Sequence, residues 1–82
     1  MPYIKQENKE VFENIVLPGT ATSGELNYLI TKICQHYIVD HGLCYKTLNE
    51  VVGALECCKL EFYRRLISKY EDSKIEENGD VY

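Results

Sequence analysis

The sequence has little of several bulky residues: 82 positions hold no tryptophan, one methionine and two phenylalanines, so seven tyrosines supply most of the aromatic surface. No apolar run approaches the roughly 18 residues of a transmembrane helix, which excludes a membrane-spanning protein. The first residues lack the apolar stretch and the small-residue cleavage site of a secretory signal. We therefore expect a cytoplasmic protein whose four cysteines stay reduced.

The chain also lacks a surface of one charge, except at its end. Residues 1–70 hold eight acids and eight bases, whereas residues 71–82 hold five acids and one base, which accounts for the whole net charge of −4. A balanced body with an acidic tail offers no basic footprint for a duplex or for an anionic membrane. We expect neither duplex nucleic acid nor a membrane as a partner.

Patterns for catalysis and metal binding are scarce as well. None of the three serines lies in a glycine elbow, and no Cys-x-x-Cys pair is present. Two cysteines and two histidines that are near in sequence allow a zinc site: Cys34, His36, His41 and Cys44. The competing interpretation is a pair of buried, unliganded cysteines, because Cys34 and His36 fall on different sides of a helix. We expect no enzyme activity, no catalytic residue, no metal and no cofactor.

Apolar residues at helical spacing predict an all-α fold in a single domain, residues 1–82. Three helices are predicted, at residues 4–17, 23–41 and 47–70. The second is the clearest, since Thr22 and Glu25 have the spacing of a capping box and Gly42 is suited to end the helix. Thr47 and Glu50 have the same spacing and predict the start of the third.

The third predicted helix is long for so small a domain. Its buried line is predicted to consist of Leu48, Val51, Val52, Leu55, Cys58, Phe62 and Leu66. Leu60, Tyr63 and Ile67 lie outside that line, and a second copy of the chain would cover them, so we expect a homo-oligomer. The small pair Gly53-Ala54 either permits close approach of another helix or a ligand, or is a tolerated glycine.

Residues 71–82 resemble a frayed acidic end, yet apolar Ile75 and Val81 and a turn at Asn78-Gly79-Asp80 favour an ordered arm. We expect the turn to reverse the direction of the arm. Its polar groups would then complete a site whose floor is the segment Tyr63-Arg64-Arg65.

That segment places an aromatic ring beside two guanidinium groups. Guanidinium binds phosphate through paired hydrogen bonds and stacks on planar bases, so Tyr63-Arg64-Arg65 fits a nucleotide clamp. The alternative, which composition alone favours, is that the arginines form ion pairs with acids of the tail or with Glu61, whose i, i+4 partner is Arg65. Both interpretations stay open at this point.

Five segments carry a family resemblance: Glu25–Thr31, Gly53–Glu56, Glu61–Arg65, Tyr70–Ile75 and Glu77–Tyr82. In this order, across residues 24–82, they resemble a family of small proteins found widely in phages, prophages and metagenomes. The first 20 residues carry no part of the pattern, and the adjacent pair Cys57-Cys58 is individual to this chain.

The resemblance implies a phage protein, hence a virion or replication accessory or an inhibitor of host defence. Among such inhibitors, viral sponge proteins are small oligomers that capture the cyclic nucleotide signals of bacterial immunity, such as CBASS, without cleaving them. The chain is similar to them in size and in expected assembly. We therefore expect sequestration of a cyclic dinucleotide such as cGAMP in the host cytoplasm. The alternative is a non-enzymatic protein–protein interaction module or structural accessory.

A sponge role gives seven residues ligand contacts: Tyr28, Tyr63, Arg64, Arg65, Lys74, Asn78 and Asp80. The arginines would hold phosphate, and a tyrosine would stack on a base. Asn78 or Asp80 would recognise the edge of the base through hydrogen bonds. The expected partners are a cyclic nucleotide, or another small anionic ligand, and further copies of the chain.

Overall fold

A computed structural model describes residues 1–15 and 17–82 of the chain. The protein is 74% helical, and its described residues form no strand, which confirms the all-α prediction. The elements are α1 (Gln6–Lys9), a 3-10 turn (Glu10–Phe12), α2 (Ser23–His41), α3 (Tyr45–Phe62), a π-helical segment (Tyr63–Ile67) and α4 (Ser68–Asn78). Within the described ranges, no helix combines the length and the apolarity needed to cross a bilayer.

Helix α2 has the predicted bounds, and its two ends explain why. The Thr22 hydroxyl accepts from the Glu25 backbone N–H at 3.2 Å, and the Glu25 carboxylate accepts from the Thr22 backbone N–H at 3.0 Å. This completes the predicted capping box. At the other end, Gly42 has φ +93°, and its N–H donates to the Ile38 carbonyl at 2.8 Å.

The first predicted helix, residues 4–17, is wrong in its extent. Only α1 and the 3-10 turn form, and Val16 lies outside the described residues. No side chain caps the start of α1 at Lys5, and Val11, Phe12 and Ile15 remain 58–82% exposed. A helix this short is marginal without packing on one face, so helical spacing alone does not extend it.

The third predicted helix starts two residues earlier than expected, at Tyr45. Thr47 is therefore inside α3 and caps nothing; its hydroxyl contacts the Cys44 sulfur at 3.3 Å. The Leu48 N–H donates to the Cys44 carbonyl at 3.0 Å, as expected when Cys44 precedes the first helical residue. The second predicted capping box is thus wrong, because Glu50 bonds to Tyr37 instead of turning back to Thr47.

The predicted arm, residues 71–82, is also corrected. Helical residues continue through the π-helical segment and α4 to Asn78, so only residues 79–82 follow the last helix. Gly79, at φ +88°, donates its N–H to the Ile75 carbonyl at 2.7 Å and ends α4. The dipeptide Asn78-Gly79 therefore terminates a helix, because the glycine adopts a positive φ that residues with a Cβ rarely reach.

The predicted buried line of α3 is exposed within this chain. Leu48, Leu55, Phe62 and Leu66 are 42–57% exposed, and Thr47, at 3% exposure, is the one buried residue among those described. Beyond Phe62 the register also changes: the Ser68 N–H bonds to the Tyr63 carbonyl, five residues back, which widens the turn. Spacing counted along one regular helix therefore does not apply past this point, and Ile67, predicted off the line, is half-buried.

The chain divides by its internal contacts into two units, Tyr3–Val51 and Val52–Tyr82 with Met1–Pro2. Within Tyr3–Val51, the Tyr37 hydroxyl donates to the Glu50 carboxylate and so joins α2 to the first part of α3. The His41 ring stacks on Tyr37 at a centroid distance of 4.0 Å. The other unit holds the rest of α3, the π-helical segment, α4 and the residues that follow it.

Candidate ligand-binding groove

The seven predicted ligand residues are divided between the two units. Tyr28 lies in α2, within Tyr3–Val51, and the other six lie in Val52–Tyr82. The Tyr28 side chain is 65% exposed. The Lys32 Nζ lies 5.4 Å from the centroid of its ring, a cation–π arrangement that fixes one face of the tyrosine.

The π-helical segment contains Tyr63, Arg64 and Arg65 together. Single π turns inside α-helices frequently occur at functional sites, since the widened turn aims side chains away from the regular helical register. Tyr63 is 49% exposed and Arg65 is exposed, so both side chains are accessible. Arg65 forms no ion pair with the residues that the structure describes, and its guanidinium is therefore available to an anion.

The sequence left two roles open for the arginines, a phosphate clamp or an ion pair, and Arg64 forms an ion pair. Its Nη2 lies 2.7 Å from the Glu61 Oε1, and its Nε donates to the Glu61 Oε2 at 3.4 Å. Both the i, i+3 and the i, i+4 spacing place a side chain in reach of Glu61 on a helix, and it is Arg64, at i+3, that pairs with the carboxylate. Glu56 and Lys59, also three residues apart, form a second ion pair at 3.2 Å.

Arg64 also lines a groove of about 250 Å³ within its own unit. The other lining residues are Met1, Pro2, Cys57, Leu60 and Glu61. With the guanidinium already engaged by Glu61, this groove is largely apolar and is a weaker candidate for an anionic ligand.

A second groove, of about 370 Å³, lies at the end of α4, and we call it the terminal groove. It contains three of the predicted ligand residues, Lys74, Asn78 and Asp80. The full lining is Tyr70, Glu71, Lys74, Ile75, Asn78, Gly79, Asp80, Val81 and Tyr82. The volume is at the lower end of the range for small-molecule sites, which suits one ring system rather than a large ligand.

Local hydrogen bonds shape the residues that follow α4, while the side chains of Val81 and Tyr82 remain 91% and 112% exposed. Gly79 turns the chain, and the Asp80 Oδ1 accepts from the Tyr82 backbone N–H at 3.0 Å. On the helix side, the Lys74 Nζ lies 5.6 Å from the Tyr70 ring centroid and 3.3 Å from the Glu77 Oε2. The terminal groove is therefore an open surface lined by two exposed tyrosines, one ammonium group, one amide and two carboxylates.

Sequence analysis missed Tyr70 and Tyr82 as site residues. Tyr70 has a detectable signal, since it precedes Lys74 by four residues and side chains at that spacing meet on one face of a helix. Tyr82 has none, because its position depends on the hydrogen bond to Asp80.

Two of the four residues of the zinc site that the sequence allows, His41 and Cys44, make other contacts. Among residues 1–15 and 17–82, no group of three or more metal-ligating side chains is arranged to hold an ion. The His41 Nδ1–H donates to the Tyr37 carbonyl at 2.9 Å. The Thr47 hydroxyl donates to Cys44 and, with the backbone N–H groups of Thr47 and Lys46, holds the pKa of that thiol below its ordinary value.

A comparison with family models identifies the family of the chain. The family described as Domain of unknown function (DUF6899) matches residues 1–81. The chain belongs to this family. No curated protein and no solved structure matches it.

The DUF6899 match extends beyond the segments that carry the sequence resemblance. It begins at residue 1, so α1 and the 3-10 turn belong to the family region even though residues 1–20 carry none of the recognised pattern. It also includes the π-helical segment and nearly all of the terminal groove, up to Val81.

Proposed function

We propose that this DUF6899 chain is a homo-oligomeric, non-enzymatic phage protein that sequesters a cyclic dinucleotide immune signal, such as cGAMP, and so counters host defence. The observation that carries the proposal is the terminal groove, where Lys74, Asn78 and Asp80 meet beside tyrosine rings. Binding without cleavage needs positioned contacts only, with no general base and no metal. The site of action is the host cytoplasm, where such signals accumulate.

Exposed apolar side chains support the oligomeric part of the proposal. In the unit Val52–Tyr82, Leu55, Leu60, Phe62 and Leu66 are 44–57% exposed. Full burial of one such side chain contributes about 1.5–3 kcal/mol, so a second copy that covers them stabilises both chains by several times the thermal energy. A symmetric assembly also repeats each groove, which matches a ligand with two bases and two phosphates.

The available guanidinium of Arg65 supports the phosphate part. Arg65 is exposed in the π-helical segment, within the same unit as the terminal groove. Guanidinium recognises phosphate through two parallel hydrogen bonds, whereas Arg64 already uses two of its donors on Glu61. The bases would stack on tyrosine, and the phosphates would lie against Arg65.

The test is thermal unfolding of the purified protein with a panel of cyclic mono- and dinucleotides at low salt. A ligand that binds only the native state stabilises it by about 2.7 kcal/mol at a free concentration of about 100 times Kd, so the cognate ligand raises Tm by several degrees. The bound ligand, released by denaturation and analysed by chromatography, is recovered intact. Arg65→Ala lowers the response, and Lys9→Ala, a cation in α1, is the control.

A second candidate function is a protein–protein interaction module. The two-point ion pair between Arg64 and Glu61 favours it, because a guanidinium that is engaged by a carboxylate of its own chain is less available to a phosphate. A flat response across the whole ligand panel, together with a change in assembly size on Arg64→Ala in light scattering, would select this function and remove the sponge proposal.

A further inference from the structure

The Asp80 carboxylate lines the terminal groove and has acceptor positions beyond the one hydrogen bond that it makes to Tyr82. Its Oδ1 accepts from the Tyr82 N–H at 3.0 Å. A carboxylate has about four lone-pair positions, so one further position on Oδ1 and both on Oδ2 remain for a ligand. The contact to Tyr82 fixes the carboxylate in place, which lowers the entropic cost of using it for recognition.

The charges around the groove determine which part of a nucleotide fits. Two acids, Glu71 and Asp80, line the groove, and its cation Lys74 is already 3.3 Å from the carboxylate of Glu77. This arrangement repels a phosphate group and favours an uncharged moiety that presents hydrogen-bond donors. The base of a nucleotide therefore belongs in the groove, with its phosphate outside.

Among the nucleobases, guanine alone presents two adjacent donors on its pairing edge, the ring N1–H and the exocyclic N2 amine. Adenine and cytosine place a ring nitrogen acceptor beside the amine, and a carboxylate repels that acceptor. The Asn78 amide and the Lys74 ammonium are donors for the guanine O6 on the same edge. The rings of Tyr70 and Tyr82 provide aromatic faces for the base.

We infer that the terminal groove is a guanine-recognition site in which Asp80 accepts from the N1–H and the N2 amine of the base. This inference rests on the proposed function for its ligand class and deepens it, because it makes a guanine-containing signal the preferred one. It also assigns the two parts of the ligand to different residues: the groove binds the base, and Arg65 binds the phosphate.

The experiment compares GMP with IMP, which differ only by the 2-amino group. Each is titrated at millimolar concentration into the full-length, ¹⁵N-labelled protein, and amide shifts of residues 78–82 are followed by NMR. GMP is expected to bind about tenfold more tightly than IMP, the value of a charge-assisted hydrogen bond. Asp80→Asn removes the preference, and Asp72→Asn, an acid of α4 outside the groove lining, keeps it.

Equal affinities for GMP and IMP, or no shift at residues 78–82 with GMP, would overturn the inference. The outcome is separable from that of the proposed function. Binding of cyclic dinucleotides with no preference for GMP leaves the sponge proposal standing and removes the guanine site. A preference for GMP that Asp80→Asn abolishes supports the guanine site even if no cyclic dinucleotide stabilises the protein.

Discussion

At the scale of single residues, Tyr37 is the clearest link between two helices. Its hydroxyl donates to the Glu50 carboxylate, and the His41 ring stacks on it with an interplanar angle of 16°. The hydrogen bond to Glu50, followed by partial desolvation and the charge of Glu50, raises the pKa of Tyr37 above its ordinary value of 10.0. The neutral phenol is thus the form that the folded state prefers.

This shift predicts a loss of stability in alkali. Because the pKa of Tyr37 is higher in the folded state, its contribution is complete below pH 10.0 and is lost as the pH rises through the folded value. An ultraviolet titration of tyrosinate should show one group that ionises after the others. Tyr37→Phe removes this late step, Glu50→Gln moves it to lower pH, and Tyr45→Phe, an exposed tyrosine of α3, leaves it in place. An unchanged curve for Tyr37→Phe would refute the assignment.

At the scale of elements, the sequence predicts helices whose ends have local chemical signals. The bounds of α2 follow from Thr22, Glu25 and Gly42, because caps act through neighbouring backbone groups. The π-helical segment has no such signal, since one displaced hydrogen bond leaves the spacing of apolar residues almost unchanged. Three of the seven predicted ligand residues, Lys74, Asn78 and Asp80, line one groove, whereas the position of Tyr82 depends on a contact beyond the last helix.

The end of α4 gives a prediction of its own. Gly79→Ala places a side chain at φ +88°, which costs about 1–2 kcal/mol, although no atom lies within 4 Å of the added Cβ. We expect lower stability in urea unfolding and loss of the Asp80–Tyr82 contact, seen as altered amide shifts. Gly24→Ala in α2 is the control: its Cβ meets only the Thr22 Oγ1, at 3.7 Å, so stability is unchanged or higher. Equal effects of the two variants would contradict the strain argument.

At the scale of the whole molecule, the apolar stripes predicted from helical spacing are not buried within the described residues of this chain. Leu26, Ile30 and Ile33 of α2 are 40–51% exposed, as are their counterparts on α3. Helical periodicity identifies the apolar face of a helix. It does not tell whether that face is buried against the same chain or against another copy. The pair Gly53-Ala54 gives a similar result: within the described residues, nothing lies within 4 Å of a Cβ built at Gly53, so any close approach there must come from another molecule.

Assembly of this kind makes stability depend on concentration. We expect the unfolding midpoint of the full-length chain to rise with protein concentration, because mass action favours a folded oligomer over unfolded monomers. Leu60→Asp should lower the midpoint and reduce the mass in light scattering, since it places a charge on the apolar face. Leu43→Asp, in the connection between α2 and α3 and 78% exposed, is the control. A concentration-independent midpoint at the mass of one chain would rule out the homo-oligomer.

The partial exposure of apolar side chains in this one chain has a consequence for the time at which the protein becomes active inside a cell. Under the proposed assembly, newly translated copies meet proteases before they meet each other, so turnover is fast while copies are few and slow once they are abundant. The rate at which copies are synthesised, and not only the affinity for the ligand, would then determine when active oligomers accumulate.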